Sequence, residues 1–217
     1  EGEMDVLSDI IRPDAAIITN IGIAHIGILG SKDAIAREKK KICTYFDGNQ
    51  TAFFYEDEEY YCFLCKGVKG KIIPYGQKST KGFEGYEDLG LDGMAINWEG
   101  FQVRFPLFGF HNLNNALAAL SLTRELGVNN ADIIEGLESV KPLIGRSQVL
   151  RGKVTIIQDC YNSNPDSAQQ ALSFLHTMFW KGRKIAVLGS MLELGEKSEK
   201  EHAKIVQYII TLNLDFI

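Results

Sequence analysis

The sequence has no apolar run long enough to span a bilayer, and its first residues do not read as a signal peptide. It also lacks any basic excess: 23 Lys and Arg face 28 Asp and Glu, a formal net charge of -5. That balance gives no electrostatic reason to seek nucleic acid or an anionic membrane, so neither nucleic acid nor membrane insertion is expected. Cysteine is scarce. Cys43, Cys62, Cys65 and Cys160 are too few for a disulfide framework in 217 residues, which points to a reducing, cytoplasmic setting. Cys62-Phe63-Leu64-Cys65 has no second pair at zinc spacing, and its apolar residues fit a strand. No Gly-x-x-x-x-Gly-Lys-Ser/Thr occurs, so there is no phosphate-cradling loop of that type. Internal repeats and low-complexity segments are absent as well. The sequence opens at Glu1-Gly2-Glu3-Met4 and stops at Asp215-Phe216-Ile217, inside an expected strand; it reads as part of a longer protein.

What is there is ordinary globular material, 45% hydrophobic and 24% charged. Ala15 to Ile18, followed by Thr19-Asn20, reads as a buried parallel strand whose polar end meets a functional loop. Ser31 to Ile42 reads as a helix. Thr51 to Leu64 and Lys71 to Tyr75 are β-rich, and Met94–Trp98 with Phe101–Phe105 flank Glu99-Gly100 as a hairpin. Residues 51 to 107 are therefore expected to form an antiparallel patch grafted onto the sheet. Helices are expected at Leu113 to Leu126 and at Ala131 to Val140, the second capped by Asn130. After Pro142 to Arg146 come a strand at Val154–Ile157, a helix opened by Pro165 and capped by Asn164, and a strand at Lys184–Leu188. A last helix starts at Ser198, which with Glu201 fits a capping box. The alternation predicts an α/β fold with parallel sheets, divided near the 144/145 junction.

Candidate chemistry begins at His25 and Lys39. His25 follows a loop at a strand's C-terminal end, where α/β proteins place ligands. Ile35, Lys39 and Ile42 share one helix face, whereas Lys40 and Lys41 point elsewhere. A lysine on the apolar face is either a packed stem with a solvated ammonium, or a confined amine that loses its proton easily and can form a carbamate with carbon dioxide. Further on, His111 and Asn115 lie four apart at a helix start and present on one face, as caps or as a stacking ring and an adenine-pairing amide. Arg146 is a surface charge or a phosphate partner. Asp159 is part of an Asx-rich turn or an acceptor for ribose hydroxyls. His202, on the last helix, reads as structural or solvent-exposed rather than catalytic.

Four blocks in order carry a resemblance: Thr19-Asn-Ile-Gly-Ile-Ala-His25 with Gly30-Ser31 and Ile35-Ala-Arg-Glu-Lys39; Gly109-Phe-His-Asn-Leu-Asn-Asn115; Gly145-Arg146 with Asp159-Cys-Tyr-Asn-Ser-Asn-Pro165; and Met191-Leu-Glu-Leu-Gly195. Together they closely resemble the Mur ligase family. Within it, Asp-x-Tyr-Asn-x-Asn-Pro resembles the branch that adds a dipeptide. The resemblance implies a partial central domain with a parallel sheet and antiparallel patch over residues 1–144, and an incomplete Rossmann-like C-terminal domain over 145–217. By the same resemblance, His25 and carbamylated Lys39 are magnesium ligands and, with Arg146, catalytic residues. His111, Asn112, Asn115, Arg146, Asp159, Tyr161 and Asn162 would bind ATP. Three positions depart from the pattern: Gly27 stands where glutamate is usual, Gln158 for a common aspartate, and Ser190 for an aspartate before Met-Leu-Glu-Leu-Gly.

The implied activity is ATP-dependent ligation of D-alanyl-D-alanine to UDP-N-acetylmuramoyl-tripeptide through an acyl phosphate, with two Mg2+ ions in an intact, cytoplasmic, monomeric enzyme of peptidoglycan precursor synthesis. The 217 residues by themselves are expected to be inactive. Two other readings stand beside it: a superfamily member that adds an amino acid or extends folate with glutamate, and a non-catalytic binding module.

Overall fold

The computed structural model of this protein describes residues 2–24, 26–212 and 214–216. The chain opens with helix α1 (Glu3–Ile11) and strand β1 (Ala15–Ile18), followed by a short helical turn α2 (Ile26–Leu29) and helix α3 (Lys32–Lys40). Strand β2 (Thr51–Tyr55), helix α4 (Tyr61–Cys65) and strand β3 (Lys71–Tyr75) come next. β1, β2 and β3 form a parallel sheet in that order, with Ala16 opposite Ala52 and Phe54 opposite Pro74.

Strand geometry sends successive side chains to opposite faces, and this sheet is buried on both. Ala16, Ile18, Ala52 and Phe54 face one apolar cluster with Ile35, Ala36 and Leu64. Phe53 and Tyr75, one position out of phase, face a second cluster. That second cluster is closed by an antiparallel sheet of β4 (Phe83–Asp88), β5 (Met94–Trp98) and β6 (Phe101–Phe105) and by helix α5 (Phe110–Glu125). Helix α6 (Asn130–Glu138) packs on β6. The β5–β6 hairpin turns on Glu99 and Gly100, both at positive φ (50° and 76°), which matches the right-handed twist of its strands.

Several sequence expectations are corrected here. Residues 51–75 are not part of the antiparallel patch, because β2 and β3 continue the parallel sheet. Residues Tyr61–Cys65 are helical: the segment joins two parallel strands, and such a link must cross one face of the sheet rather than turn back as a hairpin. α5 starts three residues early, at Phe110, and α6 is capped by Asn129, whose side chain accepts from the Asp132 amide. α1 was not anticipated at all.

Beyond α6 lie strands β7 (Gln148–Leu150) and β8 (Ile156–Gln158), helix α7 (Pro165–Thr177) and helix α8 (Ser198–Ile210). β7 and β8 pair antiparallel. Among the described residues, the only parallel pairing in this half is the bridge of Ile185 to Phe216, so the expected strand at 184–188 is reduced to a single contact. Asn164 caps α7 as expected, and Ser167 completes a capping box with it that the sequence reading did not include. At α8 the capping box fails. A 3-10 turn over Gly195–Lys197 runs straight into the helix, no side chain caps it, and Glu201 is buried against Lys204 instead. Ala168, Leu172, Met191, Leu194, Ile205 and Ile209 belong to the same apolar cluster as Ile18, Ile21 and Ile26, so the two halves share one core. Phe108 stacks on Phe174 at 4.3 Å across the same boundary.

Candidate active site

The site is built around the loop 19–24 that leaves β1. Tyr75, fully buried, donates from its hydroxyl toward the carbonyls of Ile18 and Thr19 and so fixes where the strand ends. α3 is started by Ser31, whose hydroxyl oxygen accepts from the Ala34 amide. Its buried residues Ile35 and Ala36 turn the Lys39 face inward. Lys39 Nζ donates to the Asn20 carbonyl at 2.8 Å. Burial pulls its pKa below the ordinary lysine value, partly opposed by the nearby carboxylates of Glu58 and Asp166.

The neighbouring lysines diverge as helix periodicity predicts. Lys40 caps the carbonyls of Phe63 and Lys66 and lies 4.6 Å from the centre of the Phe63 ring. Lys41 pairs with Asp5 and Glu38. His25, the metal ligand implied by the resemblance, lies outside the described residues.

Among the described residues, no group of three His, Cys, Asp or Glu side chains is placed to hold a metal ion. What they offer is Lys39, a half-buried amine with a lowered proton affinity. That chemistry suits carbamate formation, which consumes the neutral amine.

The second block sits at the start of α5. Gly109 adopts φ 88°, and a Cβ there would lie 2.9 Å from the His111 ring, so this glycine makes room for the imidazole. Burial lowers the His111 pKa, with Asp159 opposing it, which keeps the ring neutral near pH 7. Asn115 is exposed one turn on. Asn112 is turned into the protein, where its amide donates to the Phe108 carbonyl at 2.8 Å.

The third block faces His111 from the other half. Ser147 donates its amide to Asp159 Oδ1 (3.0 Å), and the Tyr161 amide donates to the Gly145 carbonyl (3.0 Å), so the two segments are tied together. The Arg146 guanidinium lies 4.4 Å from the centre of the exposed Tyr161 ring. Asn162 is exposed beside it, and half-buried Gln158 reaches Cys160 through its side-chain amide.

The fourth block closes on the first. Gly27 donates its amide to the Glu193 carbonyl at 2.9 Å, and Lys197 Nζ donates to the Gly30 carbonyl at 3.0 Å. A Cβ on Gly27 would fall 2.6 Å from both the Glu193 carbonyl oxygen and the Gly195 nitrogen. The departure from glutamate at this position is thus the point where the two halves touch backbone to backbone. His202 holds that segment in place: its Nε2 accepts from the Met191 amide (3.0 Å) and its Nδ1 donates to the Ser198 carbonyl (2.8 Å). Of the two readings the sequence left open, structural or solvent-exposed, these contacts give the structural one. Ser190 is exposed.

Sequence reasoning missed Glu58 and Asp166. Glu58 accepts from the Ile21 amide and Asp166 from the Ile23 amide, each at 2.9 Å. Glu58 lies within the acidic run Glu56-Asp57-Glu58-Glu59, and Asp166 reads as an ordinary acidic residue in a helix's first turn. Neither has a local signal of its use.

Comparison with known proteins shows the family and the fold. Residues 1–123 match the Mur ligase middle domain, and residues 145–215 match the Mur ligase, glutamate ligase domain. A UDP-N-acetylmuramoyl-tripeptide--D-alanyl-D-alanine ligase from Treponema pallidum is 40% identical over 204 residues, covering 94% of this chain and 44% of the relative. The crystal structure of MurF from Acinetobacter baumannii superposes with TM-score 0.89 at 30% identity over 98% of this chain and 48% of that one. MurF ligase from Thermotoga maritima, solved in complex with ADP, gives TM-score 0.82 at 28% identity over 97% and 50%. The chain therefore spans about half the length of the proteins it matches. With these two family matches in order along it, the chain belongs to the Mur ligase family.

Proposed function

We propose that this chain is the part of an ATP-dependent ligase that carries the lysine and nucleoside half of the active site. The intact enzyme joins D-alanyl-D-alanine to UDP-N-acetylmuramoyl-tripeptide, with residues 1–144 from its central domain and 145–217 from its C-terminal domain. The observation that carries this reading is the 40% identity of the chain to a ligase of that name. It is supported by two local groupings, His111 beside Asp159 across the halves, and Lys39 and Asp166 on the loop after β1.

In the proposed reaction the γ-phosphoryl group of ATP passes to the tripeptide's terminal carboxylate, leaving ADP. The dipeptide amine then attacks the acyl phosphate carbon; phosphate departs and the amine loses a proton. Chemistry of this kind rests on positioning and charge neutralisation. Lys39, as its carbamate, and His25 would hold Mg2+, which when bound neutralises charge on the transferring phosphoryl group. Neutral His111 supplies a ring for the adenine to stack on, and Asn115 an amide for its edge. Asn112 acts from beneath, fixing the start of α5 that presents both. Asp159 keeps one carboxylate oxygen for the ribose while the other holds Ser147. Tyr161 and Asn162 border the same site, and Tyr161 holds Arg146 until the phosphates draw the guanidinium off its ring.

The test is a substrate panel on the intact protein. With UDP-N-acetylmuramoyl-tripeptide and ATP, D-alanyl-D-alanine should release phosphate at least tenfold faster than single amino acids. Equal turnover of a single amino acid, or glutamate addition to folate, would assign the chain to another member of the superfamily. No nucleotide turnover with any acceptor would leave the binding-module reading.

A further inference from the structure

Three hydrogen bonds from three different parts of the chain converge on the loop between β1 and α2. Lys39 holds the Asn20 carbonyl, Glu58 holds the Ile21 amide and Asp166 holds the Ile23 amide. The first two come from the same half as the loop. Asp166 comes from the other half, 143 residues away, in the first turn of α7. Its approach is prepared on both sides. Asn164, Ser167 and buried Pro165 set the first turn of α7, which fixes where the carboxylate leaves the backbone. Opposite it is Gly22, where a Cβ would meet Asp166 Oδ2 at 2.7 Å, so the loop is bare where the carboxylate reaches in.

We propose that Asp166 is a positioning residue that makes the conformation of the His25-bearing loop depend on docking of the C-terminal half. Glu58 and Lys39 act on the loop wherever that half is. Asp166 adds the last constraint only when α7 is seated, so the loop two residues before His25 is fixed in the docked state and released when the halves part. An amide hydrogen bond to a carboxylate is among the stronger hydrogen bonds, and the Ile23 N–H, whose partner among the described residues is Asp166, responds directly to its loss. The consequence for the ligase rests on the proposed function; the structural coupling does not.

The test has two arms. In the first, residue-resolved amide exchange is measured on the full 217-residue chain. Asp166→Ala should raise exchange at Ile23 at least tenfold and leave Ile21 unchanged, whereas Glu58→Ala should do the reverse. Asp166→Asn, which keeps an oxygen acceptor, should retain most of the Ile23 protection. Gly22→Ala should reproduce the Ile23 effect with Asp166 intact, by displacing the carboxylate. Unchanged exchange at Ile23 in Asp166→Ala would overturn the proposal. In the second arm, on the intact ligase, Asp166→Ala should raise the Mg2+ concentration for half-maximal activity about tenfold, with the KM for ATP within twofold of the parent. Recovery of the Mg2+ requirement in Asp166→Asn supports positioning. A fall in kcat with an unshifted Mg2+ requirement overturns it. If the parent protein ligates nothing, the functional reading falls, while the exchange arm still decides the coupling.

Discussion

Lys39, Lys40 and Lys41 are chemically identical, and only their angles around α3 separate them. Lys39 reaches the loop carbonyl of Asn20, Lys40 ties down the end of α4, and Lys41 anchors α1 through Asp5 and Glu38. In the intact ligase, Lys39→Ala should reduce ligation at least a hundredfold with little change in thermal stability. Lys40→Ala should do the opposite: near-normal ligation and a loss of about 1–2 kcal/mol from two charge-assisted hydrogen bonds, read by denaturant titration. If both variants lose activity alike, the assignment of Lys39 fails. Helix periodicity made this choice legible from the sequence, because the 3.6-residue repeat is local. What Lys40 does instead was not legible, since its acceptors belong to a turn more than twenty residues away.

At the scale of elements, α1 shows how a helix can depend on one distant side chain. Its first turn is not capped by its own residues; the amides of Gly2 and Met4 donate to Glu38 Oε1 at 2.8 and 3.1 Å. Burial pushes the Glu38 pKa up, but Lys41 and those two amides outweigh it and hold the carboxyl below its ordinary value of 4.5. The folded pKa lies below the unfolded one, so this contribution is complete above about pH 4.5 and is lost as pH falls through the folded value. The Met4 amide resonance should therefore titrate with a midpoint below 4.5, and in Glu38→Gln that dependence should vanish. A midpoint at or above 4.5 would show that α1 is held some other way. The same dependence on distant partners explains the misread segment 61–65: its composition suits a strand, but a link between two parallel strands must cross the sheet.

For the molecule as a whole, the question is how firmly the halves are joined. They share an apolar cluster, the Phe108–Phe174 stack and the backbone contact of Gly27 with Glu193 and Gly195. Gly27→Ala puts a methyl group 2.6 Å from two backbone atoms, which must separate. The expected cost is about 1–3 kcal/mol, as for other overpacked sites, with faster amide exchange in residues 193–195 and at Ile23. Exchange unchanged in both places would mean that the halves are not held at Gly27.

By itself the sequence determined the family blocks, the β5–β6 hairpin, the Asn164 cap of α7 and the inward face of α3. Each of these rests on spacing within a few residues, where periodicity and turn chemistry act. Only the tertiary structure decided that β2 and β3 extend the parallel sheet, that Gly27 is a contact rather than a loss, and that Glu58 and Asp166 set the loop before His25. Those outcomes depend on which surfaces meet across tens to more than a hundred residues. A carboxylate has no local pattern that says which distant amide it will hold; packing of the shared core decides that.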